Sequence, residues 1–245
     1  MPQRGSGNHF SGTGKTRRLS LPLYLPRTLA NDAGNSHRKS CSVKYHLCLF
    51  LLTAWFCFGE TESGFISLFD GKTLKGWKAS PGGKWEVKDG VLLGTSHKAD
   101  KRHGILFSEK EYSDFFLRVK FRVLQGNSGF YFRAENRNSP IRAYGFQAEI
   151  DRTQNTGGLY ETGGRAWVAR PGQKAIKERK YQPGEWTDLE IHAVGKDVSV
   201  RINGIVSTEL KNDPGRTKGF FGLQLHGRQD MHVEYKDIRL KNLVR

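Results

Sequence analysis

Cysteine is scarce in this chain of 245 residues, and its three copies, Cys41, Cys48 and Cys57, all precede residue 60. If the segment before residue 60 is removed, the remaining domain cannot contain a disulfide. It must then be stabilised by its core alone, which a domain of about 180 residues can do by burying roughly 70% of its unfolded surface. Hydrophobic residues make up 36% of the chain, which excludes disorder of the chain as a whole.

Hydrophobic runs long enough to cross a membrane are also lacking. The longest run extends from Leu47 to Phe58, whereas a membrane-spanning helix needs about 20 residues. A run of this length behind a basic residue, Lys44, is typical of a secretory signal peptide. We therefore predict a signal peptide at residues 44–60, with an uncleaved anchor as the alternative. The mature protein is expected to lack a membrane span and to be exported to the periplasm or the cell exterior.

Apolar periodicity is missing from residues 1–43, which are rich in Gly, Ser, Asn and Arg. We expect a disordered N-terminal extension there. An N-terminal extension of this length is unusual before a signal peptide. A wrongly assigned translation start, with Val43 as the true, non-ATG start, would explain it.

Acidic residues are few, with 24 Asp and Glu against 40 Lys and Arg, for a net charge of +16. Residues 1–60 hold eight basic and two acidic residues, which leaves 32 and 22 for the rest of the chain. Those basic residues are scattered, with no long basic run. Nucleic-acid binding requires a clustered basic surface, so we predict no nucleic-acid partner.

No window supports a helix longer than two turns, and from Phe65 onward the apolar residues alternate with period two, which is typical of strands. Asp89-Gly90 and Asn203-Gly204 lie between apolar runs and predict two hairpins with tight primed turns. About a dozen short strands with turn signals between them predict an all-β fold. We prefer an antiparallel two-sheet jelly-roll sandwich, formed by one domain at residues 63–245.

Lysine is absent from the polar faces of three of these strands. The faces carry planar or charged groups instead, namely Tyr131, Arg133 and Glu135, then Gln147, Glu149 and Asp151, then Gln224 and His226. If the three strands are neighbours, these side chains line one concave surface that can hydrogen-bond to sugar hydroxyls. Tyr160 and Trp167 could cover the apolar faces of a sugar. The alternative is that the residues are ordinary exposed positions on a twisted sheet.

Eight motifs occur in an order that resembles a known family. They are LFDGKTLKGW (68–77), WEVKDGVLLG (85–94), GNSGFYFR (126–133), GFQAEID (145–151), GGLYE (157–161), GEWTDLEI (184–191), RINGIVS (201–207) and GLQLHG (222–227). Together they are similar to the 3-keto-disaccharide hydrolase domain. The resemblance implies a jelly roll like those of concanavalin-type lectins and glucanases, in an exported bacterial protein that acts on glycosides oxidised at C3.

A ketone at C3 acidifies the C2 proton, so a base could remove that proton and the C1 substituent could leave by β-elimination. Water addition would complete a hydrolysis. His226 is the first choice for the base because imidazole titrates near neutral pH, and Glu149 or Asp151 is the second. Arg133 could stabilise the enolate oxygen.

We expect the loop that carries His97 and His103 to be solvated.

Further residues are predicted to bind the carbohydrate substrate, namely Tyr131, Gln147, Gln224, Tyr160, Arg165 and Asn127. A divalent metal is a possible cofactor, with Glu149, Asp151 and His226 as its ligands. Glu149 and Asp151 could also form the carboxyl pair of an ordinary glycosidase. The alternative to an enzyme is a carbohydrate-binding module without catalysis, which the same side chains would serve.

Overall fold

Alternating apolar and polar residues form strands across just over half of the part of the chain that the structure describes. The computed structural model describes residues 63–243. Within that range the only helix is α1 (Gln173–Glu178), which has six residues. The strands of the described range are β1 (Ile66–Ser67), β2 (Trp77–Ala79), β3 (Lys84–Lys88), β4 (Val91–Ser96), β5 (Gly104–Tyr112), β6 (Phe115–Gln125), β7 (Ser128–Asn136), β8 (Ala143–Ile150), β9 (Leu159–Thr162), β10 (Ala166–Ala169), β11 (Thr187–Val194), β12 (Asp197–Ile202), β13 (Ile205–Leu210), β14 (Gly219–Leu225) and β15 (Met231–Asn242).

These strands form two antiparallel sheets. Sheet A has the order β13-β12-β11-β6-β15-β4-β3, with β1 paired to β15. Sheet B has the order β10-β9-β8-β7-β14-β5-β2. The predicted fold class, an all-β sandwich of two antiparallel sheets, is confirmed. Short strands β2 and β10 are additions that the sequence pattern does not reveal.

The core lies between the two sheets and is built from the apolar faces of the alternating strands. In β6 the side chains of Phe115, Leu117, Val119, Phe121 and Val123 are buried in this core. Sheet B contributes Phe130 and Phe132 from β7, Phe146, Ala148 and Ile150 from β8, and Phe221, Leu223 and Leu225 from β14. Because the apolar faces of these three strands point inward, their other faces point away from sheet A.

Both predicted hairpins are present. The turn between β3 and β4 places Asp89 and Gly90 at φ values of 51° and 77°, and the turn between β12 and β13 places Asn203 and Gly204 at 49° and 79°. Positive φ at both central residues is the requirement of a type I′ turn, which asparagine, aspartate and glycine tolerate best. The Asp-Gly and Asn-Gly steps therefore fix the register of two strand pairs in sheet A.

The three strands that carry polar faces without lysine are neighbours. In sheet B, β7 lies between β8 and β14. The expected adjacency is thus confirmed, and the outer face of sheet B carries the polar side chains together.

The predicted disordered extension at residues 1–43 and the predicted signal peptide at residues 44–60 lie outside the described residues. Between residues 63 and 243, the one helix present falls far short of the length and apolar character that a membrane crossing demands.

Candidate functional site

The floor of the candidate site is built by strand register. Gly129 of β7 pairs with Glu149 of β8, and Tyr131 of β7 pairs with Gln147 of β8. The side chain of Gln147 lies across Gly129, where an added Cβ would be only 2.2 Å from Gln147 Nε2. A glycine at this position therefore lets the polar groups of β8 and β14 approach each other over the centre of the sheet.

A hollow of about 390 Å³ opens above this floor. It contains seven of the ten predicted site residues: Asn127, Tyr131, Gln147, Glu149, Tyr160, Gln224 and His226. It is completed by His103, Ile141, Thr162, Trp167 and Gln229. We refer to this hollow as the sheet B pocket.

A continuous hydrogen-bond network runs across the floor of the sheet B pocket. Gln147 Nε2 donates to Glu149 Oε2 at 3.0 Å and to Gln224 Oε1 at 3.3 Å. Gln224 Nε2 in turn donates to the hydroxyl of Tyr131 at 3.1 Å and lies 3.1 Å from His103 Nδ1. The network fixes the rotamers of side chains from four segments, so the pocket is ordered before any ligand enters.

Glu149 is the buried carboxyl group of the pocket, with 6% of its surface exposed. Burial raises its pKa from 4.5 to about 7, against a hydrogen bond from Asn127 that lowers the pKa, and with a smaller upward contribution from the charge of Asp151. Asn127 Nδ2 donates that bond to Glu149 Oε1. Glu149 can therefore hold a proton near neutral pH. Once the proton has been released, the side-chain amides of Asn127 and Gln147 stabilise the carboxylate.

Replacement of Glu149 by glutamine should favour the folded state increasingly as the pH rises. A raised pKa means that the folded protein binds more protons than the unfolded chain between pH 4.5 and 7, so wild-type stability falls across that window. A rise from 4.5 to about 7 corresponds to about 3 kcal/mol. The free energies of unfolding of Glu149→Gln and wild type can be measured by urea titration at pH 4.5 and pH 8. The difference, variant minus wild type, should increase by that amount between the two pH values. A constant difference at both pH values would contradict the buried carboxyl.

One wall of the sheet B pocket is aromatic. Tyr160 of β9 and Trp167 of β10 face each other edge to face, with ring centroids 5.4 Å apart. The guanidinium of Arg170 lies 4.0 Å from the centroid of the Trp167 ring. The wall offers an apolar surface beside the polar floor, which is the combination that a sugar ring with one apolar face requires.

The expectation that Arg133 faces the hollow is wrong. The pairing of β7 with β8 shifts between Phe132 and Glu135, and Arg133 sits in this irregularity with a φ of 49°. The bulge reverses the alternation of side chains, so Ala134 shares the side of Tyr131. The Arg133 guanidinium is buried elsewhere and donates to Ser113 O and Gly195 O and to Asp114 Oδ1.

Asp151 and Arg165 also lie outside the pocket lining. The Asp151 carboxylate accepts hydrogen bonds from the backbone and hydroxyl of Thr153, at 2.9 and 2.6 Å, and from the hydroxyl of Thr156 at 2.8 Å. It organises the loop after β8, and the spacing Asp-x-Thr is a local signal of such a turn. Arg165 is held in ion pairs with Asp213 and Glu161.

The metal ligand set considered from the sequence is not assembled. In residues 63–243, no group of three or more His, Cys, Asp or Glu side chains is placed so that it could hold a metal ion. The Asp151 carboxylate is engaged by threonine donors, as described above. Glu149, Asp151 and His226 therefore do not fit a three-ligand site.

His103 was expected in solvent, and the structure places it in the pocket instead. The pairing of β14 with β5 ends at Leu225 opposite Gly104, so the next residues along the two strands are His226 and His103. Their ring centroids are 4.3 Å apart. The residues that precede His103, 97–102, are mostly polar and give no local sign of burial. Only knowledge of the strand pairing could have identified it.

The chain matches the model of one protein family over most of its length. The model of the family described as "3-keto-alpha-glucoside-1,2-lyase-like domain" matches residues 64–241. A curated protein of Bacteroides thetaiotaomicron, named 3-keto-disaccharide hydrolase, is 32% identical over 81 residues, which cover 29% of this chain. The match spans only 28% of the length of that relative.

Two solved structures share the fold. A protein from Parabacteroides distasonis, provisionally named a glycosyl hydrolase, matches with a TM-score of 0.56 and 20% identity, over 74% of this chain and 95% of its own. A Bacillus subtilis protein of unknown function with a galectin-like fold matches with a TM-score of 0.55 and 16% identity, over 70% of this chain and 91% of its own. At these identities the similarity concerns the fold alone.

Proposed function

The chain belongs to the family of 3-keto-alpha-glucoside-1,2-lyase-like domains, and on that premise we propose that it cleaves the glycosidic bond of 3-keto-glycosides. The cleavage uses acid and base groups of the sheet B pocket. The family name supports the substrate class and the bond, and the name of the Bacteroides relative points to the same class. Export of the protein, proposed from the sequence, would bring it to sugars outside the cytoplasm.

The reaction begins with removal of the proton at C2, which the neighbouring C3 ketone makes acidic. The electron pair of the C2–H bond passes toward the carbonyl and forms an enolate. Collapse of the enolate restores the ketone, forms a C1–C2 double bond and expels the C1 oxygen, which takes up a proton. Addition of water across the double bond, with hydroxyl to C1 and a proton to C2, then completes a net hydrolysis. Without the water addition the enzyme acts as a lyase.

The proposal is supported most directly by two groups with complementary proton chemistry in one pocket. Glu149 has a pKa of about 7 because it is buried, so its protonated form can donate to the departing oxygen. His226 Nδ1 lies 2.7 Å from Gly227 O, and because a carbonyl can only accept, the proton of the neutral ring is on Nδ1. Nε2 then carries the lone pair, and His226 acts as the base at C2.

Removal of the Asn127 amide should move the alkaline limit of activity upward. The hydrogen bond from Asn127 lowers the pKa of Glu149, so Asn127→Ala raises that pKa further. Because Glu149 must be protonated to act as the acid, the fall of kcat/KM at alkaline pH should shift to higher pH in the variant. A pH profile of kcat/KM for both proteins measures this shift. Asn136→Ala, at an exposed position at the end of β7, is the control. A shift to lower pH would contradict the role of Glu149.

The substrate class is tested by incubating the purified protein with a panel of 3-keto-disaccharides and with their unoxidised parents, each with and without a chelator. Release of sugar from the keto compounds alone is the expected result. Release from the unoxidised parents would indicate an ordinary glycosidase. Binding of sugars without release from either set would indicate a carbohydrate-binding module.

A further inference from the structure

Two histidines meet at the edge of the sheet B pocket on loops that are hydrogen-bonded to each other. The rings of His103 and His226 are inclined by 46°, with their centroids 4.3 Å apart. The backbone N–H of Arg228 donates to Asp100 O, and a Cβ added at Gly227 would lie within 2.9 Å of the backbone of residues 101 and 102. The close approach that only glycine permits therefore holds the two rings together.

The direction of the hydrogen bonds across the pocket floor is determined by its carboxylate end. Glu149 Oε1 accepts from the Asn127 amide, and a proton taken up by the carboxyl group leaves lone pairs on both oxygens, so these amide bonds keep their direction in the ionised and the protonated state. The atom of Gln147 that contacts Glu149 Oε2 is the amide nitrogen. The same nitrogen donates to Gln224, whose amide oxygen must therefore point toward Gln147. The amide nitrogen of Gln224 then points the other way, toward Tyr131 and His103.

This direction determines where the proton of His103 is. Its Nδ1 accepts a hydrogen bond from Gln224 Nε2, so a neutral His103 carries its proton on Nε2. Burial and the proximity of His226 lower the pKa of His103 from 6.5 to about 4, which keeps the ring neutral at physiological pH. The two rings thus have opposite tautomers, and Nε2 is a donor in His103 and an acceptor in His226.

We propose that His103 Nε2–H donates the hydrogen bond that stabilises the enolate oxygen while His226 Nε2 removes the C2 proton. The inference rests on the proposed cleavage of 3-keto-glycosides. The C2 proton and the C3 oxygen belong to neighbouring atoms of the sugar, so the base and the donor must also be neighbours, as these two rings are. A neutral donor gives up no proton, and the bond strengthens as negative charge develops on the oxygen. His103 thereby takes the role that the sequence suggested for Arg133.

The first test compares His103→Ala with His97→Ala, in which the altered side chain is largely exposed in the same loop. Loss of one oxyanion donor should lower kcat by roughly 100- to 1000-fold. The exchange of the C2 proton with D₂O should slow by the same factor, whereas KM should change little. His97→Ala should keep wild-type values. If wild type is active and His103→Ala exchanges the C2 proton at a similar rate, the proposed role of His103 is wrong and the proposed function still stands. An inactive wild type would overturn the proposed function as well.

A second test needs no variant and is therefore independent of any folding defect. Nitrogen-15 spectra of the imidazole rings in the wild-type protein at pH 7.5 distinguish the two neutral tautomers. The expected result is a proton on Nε2 of His103 and on Nδ1 of His226. A proton on Nδ1 of His103, or a doubly protonated His103 ring, would overturn the inference.

Discussion

Replacement of His226 by alanine is expected to lower kcat on a 3-keto-disaccharide by roughly 100- to 10,000-fold, the usual contribution of a general base. The ring lines the pocket, and in the proposed mechanism its Nε2 accepts the C2 proton. Sugar binding should be retained, because the floor residues Gln147, Gln224 and Tyr131 do not depend on His226 for their hydrogen bonds. Turnover and the dissociation constant, measured on the same preparations, separate the two effects.

The matched control is His192→Ala. His192 belongs to β11 in sheet A and packs against the ring of Phe116, so this variant should retain wild-type turnover. If His226→Ala kept both turnover and binding, His226 would have no part in the site. If it lost binding as well as turnover, the ring would hold the sugar rather than move a proton.

Replacement of Arg133 by methionine should destabilise the fold by about 3–5 kcal/mol, as expected for loss of one partner from a buried ion pair. The guanidinium joins the turn between β5 and β6, through Ser113 and Asp114, to the turn between β11 and β12, through Gly195. Methionine fills similar volume but removes the guanidinium donor from these buried acceptors, and Asp114 Oδ1 keeps only its other contacts, among them the bond from the backbone N–H of Gly195. The free energy of unfolding from urea titration measures the loss.

Activity distinguishes this structural role from the catalytic role suggested by the sequence. At a temperature where Arg133→Met is folded, its kcat should equal that of wild type. Arg137→Met is the control for charge, because Arg137 is exposed and pairs with Glu135 on the surface, where such pairs contribute little. An Arg133 variant with wild-type stability and no turnover would contradict the structural role and would indicate that the guanidinium takes part in catalysis.

Strand alternation predicted most of the fold because the burial of one face is a local property of the sequence. Every second residue from Phe115 to Val123 lies on the buried face of β6, as expected. The Asp-Gly and Asn-Gly turns also occur where predicted. Alternation also sorted Gln147, Glu149 and Gln224 onto the face that forms the pocket. These predictions succeeded because each depends on the period of a continuous pleat.

The failures arise where the pleat is broken or where distant segments meet. A bulge at Arg133 reverses the alternation, and no residue near it signals the bulge. His103 is polar in a polar loop, and its contact with His226 depends on the pairing of β5 with β14. Asp151 could have been recognised, because a threonine two residues later is a local sign of a capped turn.

Abstraction of the C2 proton is tested most directly by running the cleavage of a 3-keto-disaccharide in D₂O and following the released sugar by proton NMR. The sugar should carry deuterium at C2 from the earliest time points, at a rate well above that of the free keto sugar without enzyme. Release of a keto sugar that retains its original C2 proton would contradict elimination and would indicate direct attack of water at C1.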